Sequence, residues 1–341
     1  MPEKFHYLRF WDYADKNIIR EYFKKIGAVN SFLEYQRHPL VSDYIRSLSD
    51  GYTTAEINTQ AQVMFHLYQM FSNGEKILKV ESDLALQLFH TEIRGIKAEH
   101  LKAPFKEFYI SIPHGLQTIS IPGKKDCPVE GIYVFLSRLD SGDKEFRVMV
   151  VGSGPETSKN KIDDAVTYFR VYLKDSEDIQ SALDKELKAF TSGPESALVN
   201  GEFNQDKIPS IANFVVNVLL YSTSPNADIR WQSWMDIDPK IKKLSGKALE
   251  RRKAELRKRH MLAGVLGGNL RLSKEERNLY LDRMRNKTTP IGVSVLVRGH
   301  WRNQWYGSEL VGDKVQKPKF IEPYWKGLNN EIVSNKIQVL V

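Results

Sequence analysis

Residues 208–221, IPSIANFVVNVLLY, carry no charged side chain and are apolar around almost the whole circumference of a helix. Such a helix has no face to show to water, so the rest of the chain has to be built around it. It is too short to span a bilayer, which takes about 20 apolar residues, and Asn213 and Asn217 interrupt it. The segment therefore predicts a buried central helix, ended by Ser224-Pro225-Asn226. At 341 residues the chain has room for roughly two domains.

What surrounds the helix changes character along the chain. Residues 1–102 read as helical, with no proline between Pro39 and Pro104 to interrupt long helices. Thr53 and Glu56 have the spacing of a capping box ahead of an apolar stripe on Val63, Phe65, Leu67, Tyr68 and Phe71. A second helix is expected over 80–93, through Leu84 and Leu88. From Pro104 the pattern turns to strands: 105–112, 116–121, 129–136 and 145–151, the last two joined by the turn Asp140-Ser141-Gly142-Asp143. Helix returns at 177–190 and at the central segment, and strands at 291–297, 319–321 and 337–341. The expected architecture is α+β: a helical part over 1–102, a core over 103–238 with a central antiparallel sheet and the buried helix, a basic helical segment over 239–288, and a small tryptophan-rich β element over 289–341.

Several chemistries are excluded early. Cys127 is the one cysteine, so neither a disulfide framework nor a multi-cysteine zinc site is possible. The N-terminus MPEKFHYLRFWDYADK is broken by charges and holds no signal-peptide core; together these predict a soluble cytoplasmic protein with no membrane contact. Gly152-Ser153-Gly154 lacks the third glycine of a dinucleotide fingerprint, Gly123-Lys124-Lys125 is not a phosphate-binding loop, and His90-Thr91-Glu92 has no cysteine pair to complete a deaminase zinc site. No cofactor and no metal are expected.

The formal net charge of +8 is local. Residues 240–287 hold 16 Lys/Arg against 5 Asp/Glu, a net of +11, which leaves −3 for the other 293 residues. Within them, KALERRKAELRKR (residues 247–259) is made of strong helix formers with a thin apolar stripe on Leu249 and Leu256. Arg251, Arg252, Lys253, Arg257, Lys258 and Arg259 either project into solvent, lie on a phosphate backbone, or meet an acidic protein surface.

The most distinctive residues come last. Arg298-Gly299-His300-Trp301-Arg302-Asn303-Gln304-Trp305-Tyr306-Gly307 is followed by Ile321-Glu322-Pro323-Tyr324-Trp325-Lys326-Gly327, placing three of the six tryptophans within 25 residues. In a strand, Gly299, Trp301 and Asn303 face one side and Arg298, His300 and Arg302 the other. Three readings fit. Trp301, Trp305 and Trp325 fill a small core. Alternatively, Arg298, His300, Arg302, Trp305 and Tyr306 bind bases and phosphates. In the third, His300 serves as a general acid or base near Glu309 or Glu322, as in a metal-independent ribonuclease. Binding or structural roles are expected before catalysis.

This motif resembles the C-terminal signature of the type V-A anti-CRISPR proteins of phages and plasmids known as the AcrVA two-type family. The resemblance extends to residues 218–229, an apolar helix ending in an Asp-Ile turn, and to 260–272, similar to the family's glycine-containing helix with Gly264, Gly268 and Arg271. It also takes in Pro104-Phe105, Ile112-Pro113 and Val129-Glu130-Gly131-Ile132, and covers most of residues 80–330. It implies an inhibitor that recognises the nascent N-terminal peptide of a type V CRISPR nuclease and promotes loss of its mRNA. That role needs a peptide-binding surface and proximity to ribosome or mRNA. Exposed sheet edges or the aromatic face suit the first need and the basic segment the second.

Overall fold

A computed structural model of the chain describes residues 19–29, 32–48, 54–120, 126–139, 141–152, 165–192, 204, 206–224, 227–233, 243–258, 262–284, 294–297, 299–308, 312–322, 324–327 and 332–333. The chain opens with helices α1 (Ile19–Ile26), α2 (Phe32–Arg37), α3 (Pro39–Leu48) and α4 (Thr54–Ser72). Strand β1 (Lys76–Val80), helix α5 (Ser82–Phe89) and strand β2 (Glu107–Ser111) follow. Next come β3 (Thr118–Ile119), β4 (Cys127–Arg138), β5 (Lys144–Gly152) and β6 (Ala165–Leu173), then α6 (Ile179–Ser192) and α7 (Lys207–Ser222), the apolar helix. After it lie β7 (Ile229–Ser233), α8 (Gly246–Lys258), β8 (Leu262–Leu266) and α9 (Lys274–Met284). The C-terminal strands are β9 (Ser294–Val297), β10 (His300–Tyr306), β11 (Val315–Ile321), β12 (Tyr324–Gly327) and β13 (Ile332–Val333).

One sheet organises the molecule, in the order β6-β5-β4-β2-β1-β8-β7, with β3 attached to β4. Strands β2, β4, β5 and β6 pair antiparallel, as the hairpin signals predict. Gly142, at φ +88°, sits in the β4–β5 turn, a conformation glycine reaches without a Cβ clash. Beyond β2 the sheet is mixed: β1 pairs parallel on both sides, and the edge strand β7 pairs antiparallel with β8. β1 runs parallel to β2 through Ile77↔Tyr109 and to β8 through Leu78↔Gly264. A parallel pair needs a crossover, and α5 supplies it between β1 and β2.

Strand alternation divides the core in two. On one face Leu78, Val80, Phe108, Ile110, Val134, Phe146 and Val148 pack with Leu84 and Leu88 of α5, Leu183 of α6 and Ile211, Phe214, Val215 and Val218 of α7. On the other face Ile77, Tyr109, Tyr133, Met149 and Val151 pack under Phe23, Tyr35, Phe65 and Tyr68 of α1, α2 and α4. The sheet is thus covered by helices on both sides. Helix α7 is buried along Ile208, Ile211, Ala212 and Phe214 through Tyr221, and the ring of Phe214 stacks on Phe89 of α5 at 4.1 Å.

The structure differs from the sequence reading at two strands. Lys76–Val80 (KILKV) lies inside the stretch expected to be helical; five residues, three of them apolar, are too few to be told from a helix by periodicity alone. The glycine-containing stretch 260–272, expected to be a helix, forms strand β8 and a turn at Gly267, at φ +74°. The reason is packing. A Cβ on Gly264 would stand 2.8 Å from the Trp231 ring and 3.2 Å from Leu78, so the glycine lets the β7 tryptophan cross the strand. Residues 337–341, expected as a strand, lie outside the described residues.

The basic segment consequently splits. Helix α8 contributes no residue to the described hydrophobic clusters. Helix α9 is docked: Arg277 donates from Nη2 (2.7 Å) and Nε (3.1 Å) to Oδ1 of buried Asp83 on α5, while Asp83 Oδ2 accepts the Leu272 amide. A capping box starts α9: the Glu276 amide donates to Ser273 Oγ, and the Ser273 amide to Glu276 Oε2.

Candidate functional site

The tryptophan motif forms a hairpin, and its docking begins with two asparagines. Asn213 and Asn217 lie one turn apart on α7, facing the C-terminal end of α5, where a helix leaves carbonyls without intrahelical partners. Asn213 Nδ2 donates to the Thr91 carbonyl at 3.1 Å. Asn217, fully buried, donates from Nδ2 to the carbonyls of Leu88 (3.0 Å) and Thr91 (3.1 Å). Its Oδ1 accepts the indole N–H of Trp301 at 2.6 Å. Two donors meet two carbonyls and one acceptor meets an N–H, so the amide orientation is dictated by its neighbours.

Around this bond the hairpin closes on the body. Trp301 is 5% exposed, its ring lies 5.2 Å from Phe320 opposite it on β11, and Phe320 meets Tyr221 of α7 edge-on at 5.8 Å. Burial pushes the Tyr221 phenol above its ordinary range. The Glu92 amide donates to the Gly299 carbonyl and the Trp301 amide to the Glu92 carbonyl, both at 3.4 Å. Asn303 Nδ2 donates to the Gly95 carbonyl at 3.0 Å. Gly299 is buried, and a Cβ there would stand 3.0 Å from Thr91 Oγ1 and 3.2 Å from Phe320. A side chain at 299 would therefore push Thr91 and Phe320 back by a few tenths of an ångström.

The expected alternation is present. Trp301 and Asn303 turn to the body and Arg302 is exposed, with His300 half-buried at the start of the strand. β10 pairs antiparallel with β11 through His300↔Ile321, Arg302↔Lys319, Gln304↔Lys317 and Tyr306↔Val315, so these residues share the outward face. Trp305 follows Trp301 on the other face but is 57% exposed, beyond the contact with the body, with Lys314 Nζ 5.1 Å from its ring centroid. Lys317 Nζ lies 6.0 Å from the Tyr306 ring centroid.

The motif residues thus have different surroundings. Gly299 and Trp301 serve the docking; Arg302, Trp305 and Tyr306 face outward or lie at the tip. Arg298 lies outside the described residues, and Trp325 pairs through its backbone with Leu296 and Val333 in a separate three-stranded sheet. On α8, Arg251 is exposed, Arg252 and Lys253 are half-buried, and Lys253 Nζ lies 3.1 Å from Glu250. Arg257 and Lys258 continue the helix backbone, and Arg259 lies outside the described residues. The hairpin and the basic helix belong to different elements, with β8 and α9 between them in the chain.

Sequence reasoning missed Asn217, whose signal was a polar residue inside an apolar helix, and Lys317 and Lys319, which become neighbours of Arg302 only through strand pairing. Among the described residues, no three His, Cys, Asp or Glu side chains assemble as a metal site, and no helix is long and apolar enough to cross a membrane.

Comparison with known proteins agrees with this architecture. Comparison with curated protein sequences finds no match. A crystal structure of AcrVA2 superposes with a TM-score of 0.52 at 13% sequence identity, covering 94% of this chain and 99% of that one, which is a likeness of fold. The family model for the anti-CRISPR type V subtype A2 family, AcrVA2-like, matches residues 78–327. That span runs from β1 to β12 and takes in Thr91, Asn217 and Trp301, the three residues that join the motif to the central helix. The chain belongs to the anti-CRISPR type V subtype A2 family.

Proposed function

We propose that this protein lowers production of a type V CRISPR nuclease in the cytoplasm of a bacterial host, by recognising the nuclease's nascent N-terminal peptide and promoting loss of its mRNA. Family membership over residues 78–327 is the observation that carries the reading. It acts by binding, without a cofactor.

The outer edge of β7 suits an extended peptide. β7 ends the sheet order, so among the described strands it has a neighbour on one side. Trp231 stands on it 47% exposed, with the Phe105 ring 5.7 Å away in an edge-on arrangement. A peptide added as a further strand gains main-chain hydrogen bonds at this edge and an aromatic surface for one side chain. Arg251, Arg252 and Lys253 of α8 are the proposed contacts to mRNA or ribosome.

A pull-down from a translating lysate, with and without RNase, tests the reading. The expected result is capture of the nuclease N-terminal peptide together with a fall in its transcript. Absence of binding to such peptides, with CRISPR interference intact in cells expressing this protein, overturns it.

A further inference from the structure

The outward face of the β10–β11 hairpin carries an arrangement that folding alone does not favour. Arg302 and Lys319 stand directly opposite each other, and like charges so placed are destabilising. Lys317 is the next outward residue along β11. Neither strand, HWRNQWY nor VQKPKFI, contains a carboxylate. Among the described residues, no salt bridge joins Arg302, Lys317 or Lys319 to an acidic group, although the body of the protein pairs Lys144 with Asp175 at 2.9 Å and Lys207 with Asp126 at 2.7 Å. The three cations therefore form a row along one side of a ribbon about 20 Å long, at about 3.3 Å per residue. Aromatic surface lies at the same end: Tyr306 on the cationic face, and Trp305 exposed on the other.

We infer that this face binds a single-stranded nucleic acid, its phosphates held by Arg302, Lys317 and Lys319 and an unstacked base resting on Tyr306 or Trp305. A row of cations tracks a polyanionic backbone, and the half-buried Tyr306 ring at its end, with the exposed Trp305 ring on the opposite face of the same hairpin end, supplies the sequence-tolerant stacking that single strands use. A duplex keeps its bases stacked and offers the rings nothing. An acidic peptide would satisfy the charges and leave the rings idle. The inference rests on the proposed function only for which RNA is met; the binding itself is independent of any CRISPR target. Lys and Pro on β11 also suit protection of an open strand edge, but edge protection requires no cation opposite them on β10.

The test is fluorescence anisotropy of a labelled 20-nucleotide single-stranded RNA with the full chain, over a salt series. Lys317→Gln/Lys319→Gln should weaken binding at least tenfold. The slope of log affinity against log salt should fall in magnitude by about 1.4, from about 0.7 per phosphate contact on a single strand. Trp305→Ala/Tyr306→Ala should weaken it about tenfold with little change in slope, as loss of stacking does. The double lysine variant should melt at the same temperature as the parent or higher, because a repulsion has been removed. Lys317→Arg/Lys319→Arg should retain binding. Four results overturn the inference: no RNA binding by the parent chain, unchanged affinity in the lysine variant, equal affinity for a poly-glutamate peptide or an anionic lipid vesicle, or aggregation of the lysine variant as its one defect. Failure of RNA binding with peptide capture intact removes this site and leaves the proposed function standing; the converse result removes the peptide reading alone.

Discussion

His66 of α4 and Glu107 of β2 face each other in the core with Nδ1 and Oε1 2.8 Å apart and no exposed side-chain surface. Burial lowers the His66 imidazole to about 3 and raises the Glu107 carboxyl well above its ordinary range, with the nearby Arg147 guanidinium opposing the carboxyl shift. Both groups are then neutral in the fold, and one proton bridges the Glu107 carboxyl oxygen and His66 Nδ1. The linkage follows from counting protons. Between about pH 4.5 and 6.5, the ordinary values of the two groups, the unfolded pair carries one proton, on the histidine, and the folded pair one, on the glutamate. The pair makes stability flat there. Below that window the unfolded state holds two protons against one, and stability falls with acid; above it the unfolded state holds none against one, and stability falls with alkali. In Glu107→Gln the side-chain amide, with both an N–H and an oxygen to offer, keeps the bond to His66, and only the histidine still titrates. Its stabilisation is then full above about pH 6.5 and drains toward about pH 3, at up to about 1.4 kcal/mol per pH unit. Urea unfolding across pH checks this: the variant should lose the parent's alkaline decline and show an acid slope beginning near 6.5. An unchanged profile removes the pair from the pH dependence.

At the scale of elements, the hairpin and the central helix depend on one shared bond. Trp301 brings a large apolar ring and one N–H; Asn217 brings the buried acceptor and closes the end of α5. Trp301→Phe keeps most of the ring and leaves Asn217 Oδ1 buried without a donor, which costs about 1–3 kcal/mol. Asn217→Leu strands the indole N–H and removes the two amide bonds to the Leu88 and Thr91 carbonyls, which keep the Thr91 amide and Asn213 as donors; losing three bonds, it should cost more than Trp301→Phe. Because the two residues share the interaction, the double variant Trp301→Phe/Asn217→Leu should be less destabilised than the two single losses added. Denaturant unfolding of the four proteins measures the cycle, and simple additivity would show that the bond does not couple them. Hydrogen exchange should locate the loss at β10–β11 and the α5 terminus.

For the whole molecule, the sheet joins distant parts of the chain. β1 takes a partner from 107–111 on one side and from 262–266 on the other, and Trp301 closes the core over α7 from further still. The basic segment is therefore not a detachable arm: its middle is a strand of the main sheet, and α9 is held to α5 through Arg277 and Asp83. A chain ended at residue 258 uncovers the β1 edge and the ends of α5 and α7. It should lose the cooperative thermal transition seen by circular dichroism; a sharp melt at the parent's temperature would show that residues 1–258 fold unaided.

Much of this was legible in the residues. The uncharged run 208–221 required a buried helix, the Asp140-Ser141-Gly142-Asp143 turn required a hairpin, and the tryptophan motif indicated the family, because each depends on properties local to a few neighbours. The parallel strands β1 and β8 were hidden, since short apolar runs carry no mark of the partner beside them. The site was hidden for the same reason. Asn217 and Trp301 are 84 residues apart, and Lys319 lies 17 residues beyond Arg302 and becomes its neighbour only when the hairpin closes. Local chemistry determined the buried helix, the β4–β5 hairpin turn and where the positive charge concentrates. Only the tertiary structure decided that the motif's first tryptophan belongs to the core and its second to the surface, because burial is a property of what packs against a residue.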